Sequence, residues 1–318
     1  MNILITGGAG FIGSHLSQYL LEHGHSVQII DDLSTGSLKN IEHLVSNPRF
    51  HFATETILNK TVMGRLVSEC DIIFHLAAAV GVRLIIDRPV HTIETNIMGT
   101  EIVLRAAQRY RKKVFIASSS EIYGKSNSDT LREDDDCVLG PTTKSRWSYA
   151  CSKAIDEFLG LAYYREYNLP VIIGRFFNVA GPRQTGRYGM VVPRFVEQAL
   201  AGTAITVYGD GHQSRCFGYV KDVVKATVAL VETEQAVGQI YNIGSEEEIT
   251  INALAEKVKE RTSSSSEIVH IPYTEAYEMG FEDLRRRVPD TSRLQATIGF
   301  KLETKLDTII DKIVESCP

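Results

Sequence analysis

The sequence predicts an α/β fold, a doubly wound parallel sheet with a smaller C-terminal substrate lobe, on three observations. Short β-branched runs alternate with longer amphipathic stretches through the first half of the 318 residues. Ile72-Ile73-Phe74 and Val171-Ile172-Ile173 are continuously apolar, as parallel strands covered on both faces require. A glycine-rich turn separates the first apolar run from the first amphipathic one.

Taken in order, strands are expected at Asn2–Thr6, Val27–Asp31, Arg49–Ala53, Asp71–His75, Lys113–Ser118 and Leu169–Arg175. Helices are expected between them at Phe11–His23, Val62–Glu69, Pro89–Tyr110 and Tyr149–Tyr167, where apolar residues recur at helical spacing. After Phe176 the rhythm breaks, with Gly181-Pro182, Gly186, Gly189 and Gly209-Asp210-Gly211 punctuating shorter elements. Helices are expected there at Val191–Ala201, Val220–Glu232, Ile251–Arg261 and Lys305–Val314. The division is therefore residues 1–175 for the sheet domain and 176–318 mainly for the smaller lobe, with an interleaved boundary. Ser263–Ser266 reads as a solvated loop.

Composition narrows the function. With 43% apolar and 23% charged residues the chain has the profile of a globular protein. A net charge of −5 offers no basic footprint for nucleic acid, so an anionic ligand needs local arginines. The five cysteines form no CxxC pair and the nine histidines no metal-ligand spacing, so neither a disulfide framework nor a metal site is expected. The N-terminal run lacks the basic start of a signal peptide, and no segment has the ~20 apolar residues of a membrane span. A cytoplasmic location without membrane contact is expected.

Gly7-Gly8-Ala9-Gly10-Phe11-Ile12-Gly13 joins the first strand to the first helix. Glycine at 7, 10 and 13 permits a tight turn, close backbone approach to a pyrophosphate, and close helix–strand packing. The helix start then presents free N–H groups to the phosphates. Asp31, ending the second strand, is placed to accept hydrogen bonds from an adenosine ribose and to repel a 2′-phosphate, which favours NAD over NADP.

Tyr149 and Lys153 lie four residues apart, on one face of a helix. A phenol is a poor base at neutral pH, and a nearby ammonium favours its ionised form. The pair follows a strand ending in Ser118-Ser119-Ser120-Glu121, where open parallel sheets place their ligand crevice. Loop capping is a better account of Ser118 than of Ser119 or Ser120. Cys151, inside the motif, reads as a packed small residue.

This ordered set resembles the extended short-chain dehydrogenases/reductases. The resemblance runs through the glycine loop, Asp31, His75-Leu76-Ala77-Ala78, Asn96, the serines and the Tyr149/Lys153 pair, then Arg175–Arg183 and Tyr208–Arg215. It implies a Rossmann-type domain with permanently used NAD and a nucleoside-diphosphate sugar in the C-terminal lobe. It further implies that Tyr149 takes the proton of the sugar 4-hydroxyl while C4 gives hydride to NAD. Cofactor contacts are implied for Gly7, Gly10, Phe11, Ile12 and Gly13 of the loop, and for Asp31 and Asp32. Leu76, Ala77, Ala78 and Asn96 are implied with them, as are Tyr149 and Lys153. Substrate contacts are implied for Arg83, Asn178, Arg183, Arg215 and Arg287. A homodimer through the helices at Pro89–Tyr110 and Tyr149–Tyr167 is also implied. Ile93, Ile97, Leu104, Phe158, Leu159 and Ala162 would supply its contact or, equally, face the sheet.

The second chemical step separates the members. A 4,6-dehydratase would carry Asp-Glu where Ser120-Glu121 stands, so dehydration is disfavoured. Ser119–Gly124 and Lys144–Lys153 are similar to UDP-glucuronate decarboxylases and UDP-apiose/UDP-xylose synthases, and Arg287 falls where those enzymes keep a catalytic arginine. The catalytic set is then Tyr149, Lys153, Ser119, Ser120, Glu121 and Arg287, acting on UDP-glucuronate. Against this, Ala79-Val80-Gly81-Val82-Arg83 looks more like UDP-sugar 4-epimerases. Decarboxylation is the favoured reading and 4-epimerisation the alternative. A non-catalytic NAD sensor is disfavoured by the intact Tyr149/Lys153 pair.

Overall fold

A computed structural model describes residues 1–81, 87–186, 189–276 and 285–317. Its first half runs β1 (Asn2–Thr6), α1 (Phe11–Glu22), β2 (Ser26–Asp31), β3 (Phe50–Thr54), α2 (Lys60–Glu69), β4 (Ile72–His75), α3 (Pro89–Tyr110), β5 (Lys113–Ser119), α4 (Arg146–Tyr167) and β6 (Val171–Phe176). The expected elements are all present, and one displaced boundary matters. Helix α4 starts at Arg146, not Tyr149, because Arg146 and Trp147 are buried at 8% and 3% exposure and packing holds an extra turn.

The second half runs β7 (Asn178–Ala180), α5 (Val191–Leu200), β8 (Ile205–Tyr208), β9 (Ser214–Tyr219), α6 (Val220–Glu232), β10 (Ile240–Ile243), β11 (Glu248–Thr250), α7 (Ile251–Arg261), β12 (Ile268–Ile271), α8 (Ser292–Ile298) and α9 (Leu306–Ser316). The four expected helices are α5, α6, α7 and α9. The strands among them were not expected. They are three to six residues long, and β9 is buried throughout, so no polar–apolar alternation marks it.

Seven parallel strands form the main sheet in the order β10-β6-β5-β4-β1-β2-β3. The chain winds from β1 toward β3, then returns to β4 on the other side of β1. The loops leaving β1 and β4 therefore diverge and open a crevice at the carboxyl edge. This is the Rossmann-type fold expected from the sequence. Residues beyond 176 complete it, since β10 pairs with β6 (Ile240 opposite Ile173) and α6 packs beside α1.

Alternate residues of each strand feed two cores. Ile3, Ile5, Ile29 and Phe74 meet Leu16 and Leu20 of α1 and Val224 of α6. Leu4, Ile30, Ile73 and Val114 meet Leu66 of α2 and Val103 and Leu104 of α3. Each such fully buried side chain contributes about 1.5–3 kcal/mol, which fixes the strand ends that carry the site. A third core, built on Val196, Phe217, Leu254 and Ile310, holds the smaller lobe, where β7, β9 and β11 form one sheet and β8 pairs with β12.

Three surface expectations need correction or division. Ser263–Ser266 is not simply a solvated loop: the Ser264 hydroxyl donates to the Ala199 carbonyl at 2.8 Å, and Ser266 is buried. That bond adds to the one the same carbonyl accepts from Gly202 N at 3.3 Å and ties the serine run to the end of α5. Cys151 is exposed rather than packed. Among the residues named for a subunit contact, Leu104 is wholly buried against the sheet, whereas Ile93 and Phe158 are exposed, Phe158 at 74%.

Candidate active site

The crevice is a cleft of about 830 Å³, with the glycine loop at one end and Arg287 at the other. Gly7 has φ +71°, and a Cβ on it would lie 2.8 Å from the Ala77 nitrogen. A Cβ on Gly13 would lie 2.3 Å from the Gly7 carbonyl oxygen. Only glycine lets β1, α1 and the turn after β4 approach this closely. Gly10 caps α1 without a side-chain hydrogen bond, so first-turn N–H groups remain to meet phosphate oxygens. The Asp31 carboxylate accepts from Ala9 N at 3.0 Å and Leu33 N at 2.8 Å, rimming the same end of the cleft. Burial raises its pKa, and those backbone N–H groups oppose the rise. These residues fit a dinucleotide: a cradle that any Cβ would fill, an open helix start, and a carboxylate beyond it.

Further along, β5 ends in the serines and α4 brings Tyr149 against them. The Tyr149 hydroxyl bonds the Ser119 side chain, and Ser119 Oγ also accepts from Glu121 N at 3.2 Å. Ser119 is thus the capping serine. Ser118, expected to cap, instead donates to Glu157 Oε1 at 2.5 Å. Glu157 in turn takes two bonds from Arg175, whose Nη1 reaches Tyr123 Oη at 2.9 Å. This buried network ties β5, α4 and β6 behind the serines.

Glu121 sits between two guanidinium groups, with Arg287 Nη1 at 2.6 Å and Arg146 Nη2 at 3.3 Å. Burial alone would push its carboxyl up, but Arg287 and Arg146 outweigh that and hold it at about 2. Sequence reasoning proposed Glu121 and Arg287 but missed Arg146. Its signal was the three-residue spacing to Tyr149, legible only once α4 is extended by a turn. Arg286, the neighbour of Arg287 in the charge run, points away to Glu248 at 2.8 Å.

Lys153 departs from expectation. Its Nζ donates to Asp156 Oδ2 at 3.0 Å, with both side chains buried. Burial pushes the Tyr149 phenol well above its ordinary range, Glu121 and Asp156 push the same way, and only Ser119 opposes them. Lys153 is not among the groups that move the phenol, and its ammonium is paired with the Asp156 carboxylate.

Leu76, Ala77 and Ala78 line the cleft, as do Phe11, Ile12, Asp32 and Ser120. Asn178, Arg183, Arg215 and Arg287 line it as well. Arg183 also bonds Gln18 of α1 at 2.5 Å. Asn96 lies behind the cleft, accepting from Ala79 N at 2.8 Å and donating to Ser152 Oγ at 3.1 Å, so it braces the loop after β4. Arg83 lies outside the described residues.

Known proteins share this layout. The chain is 46% identical over 298 residues (93% of this chain, 91% of the relative) to a UDP-N-acetyl-α-D-glucosaminuronate decarboxylase of Bacillus cytotoxicus. It is 34% identical to UDP-glucuronic acid decarboxylase 1 of Danio rerio, covering 98% of this chain and 72% of that one. Its fold matches UDP-glucuronic acid 4-epimerase of Bacillus cereus, solved with UDP-glucuronic acid and NAD, at TM-score 0.90 and 30% identity over 99% of this chain and 98% of that one. The GDP-mannose 4,6 dehydratase family model matches residues 4–313. The chain therefore belongs to that family, among the extended short-chain dehydrogenases/reductases that modify nucleotide sugars.

Proposed function

We propose that this protein is an NAD-dependent decarboxylase of a UDP-hexuronate. The observation that carries the reading is the pair of arginines, Arg146 and Arg287, gathered on Glu121 beside the Tyr149–Ser119 contact. Two buried guanidinium groups around one carboxylate form a place where a second carboxylate, that of the sugar, is recognised by geometry and charge. NAD, held on Gly7–Gly13 and Asp31, supplies a hydride acceptor and donor for sugar C4.

Tyr149 accepts the proton of the 4-hydroxyl, and Ser119 orients that hydroxyl. The resulting ketone is β to the C6 carboxylate, so the C5–C6 bond breaks with its electron pair delocalised onto the ketone oxygen, and CO₂ leaves. Arg287 engages the sugar carboxylate. Glu121 then has one guanidinium partner fewer, so its carboxyl gains proton affinity, and the net proton that C5 gains is drawn from solvent and relayed through Glu121. Asn178, Arg183 and Arg215, all lining the cleft, hold the diphosphate end.

Decarboxylation is favoured over 4-epimerisation because relatives matched along nearly the whole chain at 34% and 46% identity carry decarboxylase names. The more similar relative takes a 2-acetamido sugar, so UDP-glucuronate and its 2-acetamido analogue are both test substrates. The test is to incubate the purified protein with each and follow CO₂ release together with NADH absorbance. Release of CO₂ supports the proposal, and turnover without CO₂ refutes it.

We also infer a homodimer. Val90, Ile93 and Met98 of α3 and Ile155 and Phe158 of α4 are exposed apolar residues on two helices that pack against each other. Among the described residues no helix is long and apolar enough to cross a membrane, and we assign the protein to the cytoplasm.

A further inference from the structure

We infer that Asn242 is a positioning residue of this site: its buried side-chain amide fixes the backbone stretch that carries Arg287 and so sets where that guanidinium meets the substrate. The inference rests on the reading that Arg287 engages the sugar carboxylate. Residues 285–290 belong to no helix or strand, so their backbone is held by other partners. Ahead of Arg287, Ser214 N of β9 donates to the Arg285 carbonyl at 2.8 Å. Beyond it, Leu131 N donates to Val288 O at 2.8 Å, and Leu131 O accepts from Asp290 N at 2.9 Å. Leu131 lies in the loop between β5 and α4, so the arginine stretch is tied across to that loop. An arginine side chain has many rotamers, and its guanidinium reaches one place only when the backbone beneath it is fixed.

Asn242, on the edge strand β10 and wholly buried, closes this arrangement from behind. Its Nδ2 donates to Leu131 O at 2.8 Å and to Asp290 O at 3.2 Å, so one amide group holds both sides of the tie. Its Oδ1 accepts from Tyr123 Oη at 2.7 Å. Tyr123 Oη itself accepts from Arg175 Nη1 at 2.9 Å, which leaves the phenol proton for Asn242 and settles which end of the amide faces which partner. The Asn242 backbone N–H donates to Glu133 Oε1 at 2.8 Å, securing the loop a second time. In the β10–β6 register Asn242 stands opposite Arg175, which is paired with Glu157 of α4, the helix that carries Tyr149 and Arg146. One bonded frame therefore holds the arginine stretch and the α4 groups together. Asn242 lies behind the residues that line the cleft, so its effect on the substrate passes through Arg287. Without its amide, the buried carbonyls of Leu131 and Asp290 lose their shared donor and the stretch is free to shift.

The test is calorimetric binding to the NAD-containing full-length protein in a Tyr149→Phe background, where the sugar stays unreacted. UDP-glucuronate is compared with UDP-glucose, which carries a hydroxymethyl group in place of the carboxylate. Arg287→Ala is the reference, expected to weaken UDP-glucuronate by roughly 10²-fold and UDP-glucose by about twofold or less. Asn242→Ala is expected to weaken UDP-glucuronate roughly tenfold, to leave UDP-glucose within about twofold, and to add no further loss to Arg287→Ala. Equal weakening of both nucleotides in Asn242→Ala would mark a merely structural role and overturn the inference. A selective loss seen in Arg287→Ala but not in Asn242→Ala overturns the inference and leaves the carboxylate reading standing. No selective loss in Arg287→Ala overturns that reading, and the inference with it. Should Asn242→Ala not fold, Tyr123→Phe keeps the ring and removes only the hydroxyl that meets Asn242 and Arg175. It is expected to give the same selective loss at a smaller size, and equal weakening of both nucleotides there overturns the inference.

Discussion

Glu121 and Arg287, separated by 166 positions in the chain, meet at 2.6 Å beside Tyr149. The contact joins the end of β5 to the C-terminal region and puts a paired carboxylate at the sugar end of the cleft. Glu121→Gln removes the group proposed to pass the proton to C5 but leaves Tyr149 and Ser119 in place. CO₂ release is expected to fall by roughly 10²–10⁴-fold, while NADH still appears on mixing with substrate. Equal loss of both signals would place Glu121 in the oxidation step instead. Arg287→Ala leaves the Glu121 carboxyl with Arg146 and the field of Arg215, so its pKa rises from about 2 toward the ordinary range.

Gly13→Ala tests the cradle. The new methyl meets the Gly7 carbonyl oxygen at 2.3 Å, and that atom belongs to backbone that cannot swing aside. The protein is expected to purify with little NAD and to lose stability by about 1–3 kcal/mol. Absorbance of the released nucleotide and a thermal melt read the two effects. Full NAD content in Gly13→Ala would move the dinucleotide away from this loop.

Acid stability should carry the signature of His75. Burial lowers its pKa from 6.5 to about 3, with Lys153 adding a smaller push. The unfolded chain then binds one more proton than the folded one between those values, so stability falls as pH drops through that window. This histidine contributes a slope of about 1.4 kcal/mol per pH unit below 6.5. Urea titrations at pH 7 and pH 5 on the wild type and His75→Gln should show the shallower dependence in the variant. Parallel dependences would remove His75 from the acid response.

Phe158 is 74% exposed on α4, a large apolar ring facing solvent in the single chain. Phe158→Glu is expected to convert the dimer to a monomer, by light scattering after gel filtration, without changing the thermal midpoint of the isolated fold. A wild-type protein that is monomeric at micromolar concentration contradicts the inferred interface.

Most of the sheet was legible because β1, β4 and β6 are apolar on both faces and the glycine loop sets their direction. The smaller lobe was not. Strands such as Asn178–Ala180 and Glu248–Thr250 are too short to show a period, and β10 joins the sheet only through tertiary pairing with β6. At the site, Tyr149, Ser119, Glu121 and Arg287 were found from motif and order. Arg146 and Asp156 were missed because their meaning is spatial: each lies three positions from a motif residue and matters through its partner across or along α4. The same gap explains the expectation for Lys153, since spacing places an ammonium near a phenol but does not show the carboxylate that claims it.

The proposed reaction is tested most directly by the mass of the product formed from UDP-glucuronate and from its 2-acetamido analogue. A UDP-sugar lighter than the substrate by one CO₂, absent when Tyr149→Phe replaces the wild type, is the expected result. A product of unchanged mass with a new retention time would identify a 4-epimerase and contradict the decarboxylase reading.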